Sequence, residues 1–340
     1  MIRIGVIGCG YWGPNLIRNF HDNDRSAVAM VCDLDPAKLA RATRFAPTAQ
    51  TTTDVATMLT SDIDAVVIAT PVSSHYELAL AALEAGKHVL IEKPMAATSV
   101  QCARLIEEAT RRGLVLMVDH TFVYTGAVRK IRELVQNGDL GQVYYYDSVR
   151  VNLGLFQHDV DVLWDLAVHD LSIIEYVLGR HPVAVSASGV SHVTGSPANL
   201  AFLTLFFDDE TVAHVNANWL APVKIRRTLI GGSKKMIVYD DLEPSEKIKI
   251  YDKGITVAEQ DEEIYKMLIG YRVGDMWAPN LDSVEALRRE TDHFLDCIEN
   301  RQRPETDGAM GQRVVEILEA ASLSMRERGR PVALSERTGK

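Results

Sequence analysis

The sequence predicts an α/β protein in which a doubly wound parallel sheet is followed by an α+β region with a large, mostly antiparallel sheet. Three observations carry this. Apolar runs alternate with amphipathic segments over residues 1 to about 120, and the first run ends in Gly8-x-Gly10-x-x-Gly13. Beyond residue 140 the helical patterns thin out, and alternating β-rich runs follow one another with short turns between them. Strands that are apolar on both faces and separated by helices imply a parallel sheet covered on both sides, whereas alternation with short turns implies antiparallel pairing.

Taken in order, the strand candidates of the first region are "IRIGVIG", "AVAMVCD", "AVVIAT", "HVLIEK" and "LVLMVD". Between them lie the helical patterns "GPNLIRNFH", "PAKLARATRF", "SSHYELALAALEAG" and "ATSVQCARLIEEATRRG". The second region supplies "QVYYYDSVRVNLG", "VAVSASGVSHV", "LAFLTLFF", "TVAHVNANWL" and "IRRTLIGG", with "FFDDETV" as a hairpin turn. One helix interrupts it at about 160–178, and "SVEALRRETDHFLDCIEN" and "GAMGQRVVEILEAASLSMRERG" close the chain as amphipathic helices. A division into residues 1–121 and 122–340 follows. A broad sheet with helices on one face needs cover on the other, so a homodimer or homotetramer assembled through the C-terminal sheet is expected.

Composition narrows the function classes. The chain has 340 residues, is 47% hydrophobic and 24% charged, and carries a formal charge of −10, with a mean hydropathy of −0.03. An acidic balance argues against a nucleic-acid partner. No apolar stretch approaches the ~18 residues of a membrane span, and no signal peptide is legible at the start. The cysteines Cys9, Cys32, Cys102 and Cys297 form no CxxC pair, which disfavours a disulfide framework or zinc cluster and fits the cytoplasm.

The glycine pattern is the first chemical signal. It follows a strand and opens a helix, the setting in which bare backbone and a helix N-terminus cradle a dinucleotide pyrophosphate. Pro14 suits the first turn of that helix. Asp33 ends the second strand, where such a fold places an acid for the adenosine ribose, and no arginine adjoins it to receive a 2′-phosphate. NAD is therefore expected as the cofactor, with NADP possible, in a Rossmann domain. The competing reading makes these ordinary turn glycines and Asp33 the cap of the next helix. Tyr11 and Trp12, inside the loop, join the candidate cofactor residues.

"IATPVSSH" and "VLIEKP" follow the fourth and fifth strand patterns, whose carboxyl ends are where ligands bind in such sheets. Lys93 at the end of an apolar strand must reach solvent or a cleft. Beside a cationic nicotinamide its amine would be easier to deprotonate, making it a candidate acid or base. A surface lysine before Pro94 is the plain alternative. In "HDVDVLWDLAVHDLSIIEYVLG", an α-helix would align Asp165, His169, Ser172 and Tyr176 in one polar stripe, with Asp165 placed to orient His169. That stripe could also be a solvated helix face. His158, Asp159, Asp161, Asp165, His169 and Asp170 permit a metal-dependent phosphohydrolase reading as well, but that leaves the glycine pattern unexplained, and no metal is expected.

The glycine pattern with Asp33, "ATPVSSH", "EKP" and the D-x-x-x-H of "WDLAVHD" together resemble the Gfo/Idh/MocA oxidoreductases, over nearly the whole chain and in the family's order. "GYWGPN", "WDLAVHD" and "YRVGDMWAP" resemble its members that act on nucleotide-linked sugars. The resemblance implies hydride transfer between the nicotinamide and a secondary alcohol or ketone of a sugar, with a nucleotide-linked sugar as the substrate class. It makes Lys93 the active-site lysine, puts Asp165 and His169 at the substrate, and lines the cofactor with Thr70, Pro71, His75 and Glu92. Asp119-His120 departs from the family's pattern and has no assigned role. A diphosphate-bearing substrate also needs cations, for which Arg150, Lys224, Arg226 and Arg272 are candidates, with Arg150 and Arg272 in the substrate set. A free-sugar or inositol dehydrogenase is the alternative substrate class, and a non-catalytic NAD-sensing protein the alternative of another kind.

Overall fold

The computed structural model describes residues 1–154, 160–257 and 269–334. The chain divides into two compact units, Met1–Thr125 with Val284–Glu319, and Gly126–Ser283 with Ala320–Lys340. The division by compactness is thus discontinuous in sequence.

In the first unit the elements run β1 (Ile2–Ile7), α1 (Gly13–His21), β2 (Ser26–Cys32), α2 (Pro36–Ala42), β3 (Gln50–Thr52), α3 (Val55–Leu59), β4 (Ala65–Ile68), α4 (Val72–Glu84), β5 (His88–Glu92), α5 (Ser99–Arg112) and β6 (Leu116–Asp119). A 3-10 turn, Thr121–Tyr124, follows β6. The strands pair in parallel in the order β3-β2-β1-β4-β5-β6. Strand order reverses between β1 and β4, so the carboxyl ends of these two strands open a crevice for a ligand. Val66, Val67, Ile68, Val89, Leu90 and Ile91 are fully buried, as two-sided cover requires. The polar β3 edge strand, Gln50-Thr51-Thr52, was not among the sequence-predicted strands.

In the second unit the elements are α6 (Gly126–Gln136), β7 (Val143–Leu153), α7 (Val168–Leu178), β8 (Ala184–Val190), β9 (Leu200–Phe206), β10 (Val212–Asn218), β11 (Leu220–Gly232), β12 (Met236–Asp240), β13 (Ile248–Tyr251), β14 (Gly254–Val257), β15 (Ile269–Arg272) and β16 (Met276–Trp277). Then come α8 (Ala286–Asn300) in the first unit, α9 (Gly308–Arg326), whose residues are shared between the units, and β17 (Val332–Ala333). Among the described residues the large sheet has the order β16-β13-β12-β11-β7-β10-β9-β8-β17. Its pairs are antiparallel except β7 with β10. Alternation sorts its faces: Val185, Ala187, Ala201, Leu203, Ala213 and Val215 are buried, while Val190, Phe202, Val212 and Tyr145 point to the other face and are exposed.

The predicted helix at about 160–178 forms in two parts. A π-helical turn, Leu163–Ala167, precedes α7. The wider turn shifts Asp165 off the α-helical spacing to His169, while on α7 itself Ser172 and Tyr176 are buried and Ser172 bonds back to the His169 carbonyl at 2.8 Å. His158 and Asp159 lie outside the described residues.

Candidate active site

The carboxyl ends of β1, β2, β4, β5 and β6 carry the first unit's candidate residues. Two of the three motif glycines are required by the fold itself. Gly8 has φ +97°, and a Cβ there would sit 2.4 Å from the Ala69 carbonyl oxygen. A Cβ on Gly13 would sit 2.1 Å from the Gly8 carbonyl oxygen. Gly10 differs, because a Cβ built on it meets nothing within 4 Å. The protein omits a side chain where its own atoms leave room, which fits the close approach of a ligand phosphate. No side chain caps the first turn of α1, so its N-terminal dipole stays available to an anion. Tyr11 is 88% exposed in the same loop.

Asp33 and Asp35 divide two tasks that the sequence left to one residue. Asp35 caps α2, accepting from the Ala37 amide at 2.8 Å. Asp33 accepts from the Cys9 amide at 2.7 Å and the Asp35 amide at 2.9 Å, which fixes its carboxylate against the glycine loop. Trp12 ties the other side of that loop to β6, its indole N–H donating to Asp119 Oδ2 at 2.9 Å. The Asp119 carboxylate also accepts from the Thr121 amide at 3.2 Å and from the Thr121 hydroxyl. Asp119 therefore anchors the loop, a role the sequence did not disclose.

After β4, Thr70 receives the Ser74 hydroxyl at 2.8 Å and Pro71 starts α4 from an exposed position. His75, expected beside the cofactor, braces the backbone of the strand-end turns. Its ring is 1% exposed and spans the Pro94 and Thr70 carbonyls, each at 2.8 Å, and burial lowers its basicity. It shapes the strand-end turns through backbone it holds and presents no surface to a ligand. After β5, Glu92 accepts from the Lys93 amide at 3.1 Å, and both side chains are half-buried. The Glu92 carboxyl is pushed well above the usual carboxylate range by burial and by Asp119.

In the second unit, Asp165 sits on the π-helical turn and accepts from the Trp219 indole at 3.0 Å. Trp219 is fully buried against Gly154, where a Cβ would come within 2.4 Å of its ring. Asp161 caps the turn through the Leu163 amide at 2.9 Å and the Trp164 amide at 3.3 Å. His169 is half-buried in the first turn of α7. Of the metal ligands considered from sequence, Asp161 and Asp165 are thus engaged with protein donors, and Asp170 is paired with Arg150.

Two residues expected at the substrate have partners within their own unit. Arg150 is 4% exposed on β7, with its Nε 2.5 Å from Asp170 Oδ2, while Ser148 Oγ donates to Asp170 Oδ1 at 2.6 Å. Burying such a charge demands a fixed partner, and the pairing with Asp170 pins α7 to the sheet. Arg272 is taken up by the Asp252 carboxylate and by the Asp252 and Lys234 carbonyls, so its charge is already matched in place. Arg226 pairs with Asp241 at 3.1 Å, and Lys224 is exposed.

Sequence reasoning missed Glu290 on α8. It is fully buried, at a position that shares the apolar face of Leu287 and Phe294, and burial and Asp119 push its carboxyl well above the usual range. An acid at i+3 and i−4 from core residues was the available signal.

A parallel sheet of this order, with a glycine loop after β1 and an acid directly after β2, defines a dinucleotide-binding domain. Residues 2–120 match the oxidoreductase family with an NAD-binding Rossmann fold, and residues 132–334 match that family's C-terminal alpha/beta domain. The chain belongs to the Gfo/Idh/MocA oxidoreductase family, and NAD is its cofactor. It is 29% identical over 334 residues to UDP-N-acetylglucosamine 3-dehydrogenase from Acidithiobacillus ferrooxidans, covering 96% of each chain. A crystal structure of that enzyme superposes with TM-score 0.81 at 27% identity, covering 96% of this chain and 98% of that one. In fold the chain is also similar to the WlbA dehydrogenase from Bordetella pertussis in complex with NADH and UDP-GlcNAcA, with TM-score 0.82, 20% identity and 99% and 98% covered. Among the described residues, no helix is long and apolar enough to cross a membrane.

Proposed function

We propose that the protein is an NAD-dependent dehydrogenase or ketoreductase of a sugar secondary alcohol, the sugar carried on a nucleoside diphosphate. Gly10, bare over open space between two sterically required glycines, is the observation that carries dinucleotide binding. The substrate class is supported by the similarity to UDP-N-acetylglucosamine 3-dehydrogenase along the full chain. When bound, the nicotinamide supplies the hydride acceptor. The glycine loop, Tyr11, Asp33, Thr70, Pro71 and Glu92 hold the coenzyme. Lys93 or His169 accepts the hydroxyl proton, and Asp165, fixed by Trp219, orients His169. Such a proton transfer contributes about 10²- to 10⁴-fold, and the rest comes from positioning.

A free sugar or cyclitol is the second reading, favoured by the commitment of Arg150 and Arg272 to partners within their own unit. Lys224, exposed on β11, is then the cation left for a diphosphate among the four considered. The site reading is tested by Lys93→Met and His169→Ala, measured as single-turnover hydride transfer with bound NAD. Loss in at least one supports it, and near-normal transfer in both ends it. Thermal protection by millimolar UDP in the presence of NAD separates the two substrate classes, its absence favouring the free sugar. The exposed face bearing Val190, Phe202, Val212 and Tyr145 supports assembly as a homodimer or homotetramer.

A further inference from the structure

The carboxyl ends of β5 and β6 gather more acid than the local donors can satisfy. Glu92 and Asp119 are register partners on adjacent parallel strands. Glu290 stands against them from α8, fully buried, and neither of its oxygens receives a hydrogen bond of acceptable geometry; the nearest groups are the Asp119 carboxyl and the Thr121 hydroxyl. The donors that do reach the group, the Trp12 indole, the Thr121 amide and hydroxyl, and the Lys93 amide, go to Asp119 and Glu92.

The other titratable groups facing the cluster are Lys93, His120 and Tyr124, with Glu305 and Cys297 beyond Tyr124. His120 is 1% exposed with neither ring nitrogen hydrogen-bonded, and burial pushes it down to about 4, so it is neutral and brings no compensating charge. Burial and the adjoining Asp119 raise both the Glu92 and the Glu290 carboxyls well above the usual range, so these two acids hold protons that neighbouring carboxylates in a largely water-excluded site can share.

We propose that Glu92, Asp119 and Glu290 form a proton store linked to the oxidation state of the coenzyme. The inference rests on the dehydrogenase reading above. A cationic nicotinamide near the strand ends favours loss of a proton from the cluster, and a neutral, reduced one favours its return. During oxidation of an alcohol, the carbon-bound hydrogen leaves with its electron pair for the nicotinamide. The O–H bond breaks as an N–H bond forms on Lys93. Lys93 then releases that proton as an O–H bond forms on Glu92, from which it is shared with Asp119 and Glu290. The substrate proton stays in the protein until the coenzyme exchanges.

The test is calorimetric titration of the full chain with NAD⁺ and with NADH, in buffers of different ionisation enthalpy and over a range of pH. Binding of NAD⁺ is expected to release a proton that NADH binding does not. The NAD⁺ affinity should rise with pH by up to about tenfold per unit where one proton is released, while NADH affinity stays nearly flat. Glu290→Gln, similar in shape, should at least halve the NAD⁺-linked release, and infrared difference spectra of the wild type should show a protonated carboxyl lost on NAD⁺ binding. Equal proton release with both coenzymes, or unchanged release in the variant, overturns the store while leaving the dehydrogenase reading intact. Failure of the native chain to bind either coenzyme overturns both.

Discussion

Gly10 and its neighbours allow a fold requirement to be separated from a ligand requirement by one methyl group. At Gly8, alanine would adopt a φ of +97° and place its Cβ 2.4 Å from a backbone carbonyl. Backbone strain costs about 1–3 kcal/mol and overpacking a further ~1–3 kcal/mol, so Gly8→Ala should destabilise the first unit by about 2–6 kcal/mol. Gly13→Ala gains helix propensity but meets the Gly8 carbonyl at 2.1 Å, and the clash dominates at about 1–3 kcal/mol. Gly10 lies outside the left-handed region and has open space, so Gly10→Ala should be neutral or stabilising by about 0.4–1 kcal/mol. Its effect falls on the coenzyme: loss of one hydrogen bond to a charged phosphate, about 1.5–3 kcal/mol, weakens NADH by roughly 10- to 100-fold. Urea unfolding and fluorescence titration with NADH measure the two quantities on the same samples. A Gly10→Ala protein that binds NADH within about threefold of the parent, or one that unfolds as readily as Gly8→Ala, refutes the division of labour.

Asp170→Asn should destabilise the second unit by about 3–5 kcal/mol because it strands the buried Arg150 guanidinium, whereas Arg150→Met with Asp170→Leu should recover much of the loss. Additive costs in urea unfolding of the two single variants and the double would refute that pairing. Glu290→Gln should raise unfolding stability at neutral pH. A carboxyl whose folded pKa is raised binds protons more tightly in the native state, so its contribution to stability falls as pH rises from the unfolded value through the folded one. Removing the group should flatten that decline, and a parallel pH profile in parent and variant would count against the buried acid.

The parallel sheet was legible because strands buried on both faces must be apolar throughout, and Val66 to Ile68 and Val89 to Ile91 have no polar alternative to hide behind. β3 was not, because three polar residues at a sheet edge make too little buried surface to impose a pattern. The cofactor loop was legible in its glycines but not in its fastenings. Nothing local in "VDHTFVY" ties Asp119 to Trp12, since the two lie 107 residues apart and meet through the crossover topology. Separation on different elements, 20 residues apart, likewise hid the pairing of Arg150 with Asp170. An arginine in an alternating strand looks like a solvated cation unless the helix that neutralises it is known to lie over that face.

The Asp165–His169 motif shows how a helix expected from spacing differs from the one that forms. An even α-helical stripe would leave Ser172 and Tyr176 beside His169 on one polar face, yet both are buried. Polarity is a poor guide on a helix surrounded by protein, because a hydroxyl can satisfy itself within the helix, as Ser172 does on the His169 carbonyl. What distinguishes Asp165 is the π-helical turn and the buried indole that holds it. The extra residue in such a turn re-aims a side chain at the expense of regular hydrogen bonding, a cost that proteins accept mostly at functional positions. Across one turn of chain, Arg150 fixes Asp170 and Trp219 fixes Asp165, so the segment carrying His169 is held on both sides, from β7 and from the bend between β10 and β11. A histidine between two such anchors has little freedom to reorient, which is what a proton acceptor needs if its geometry is to be set before the substrate arrives.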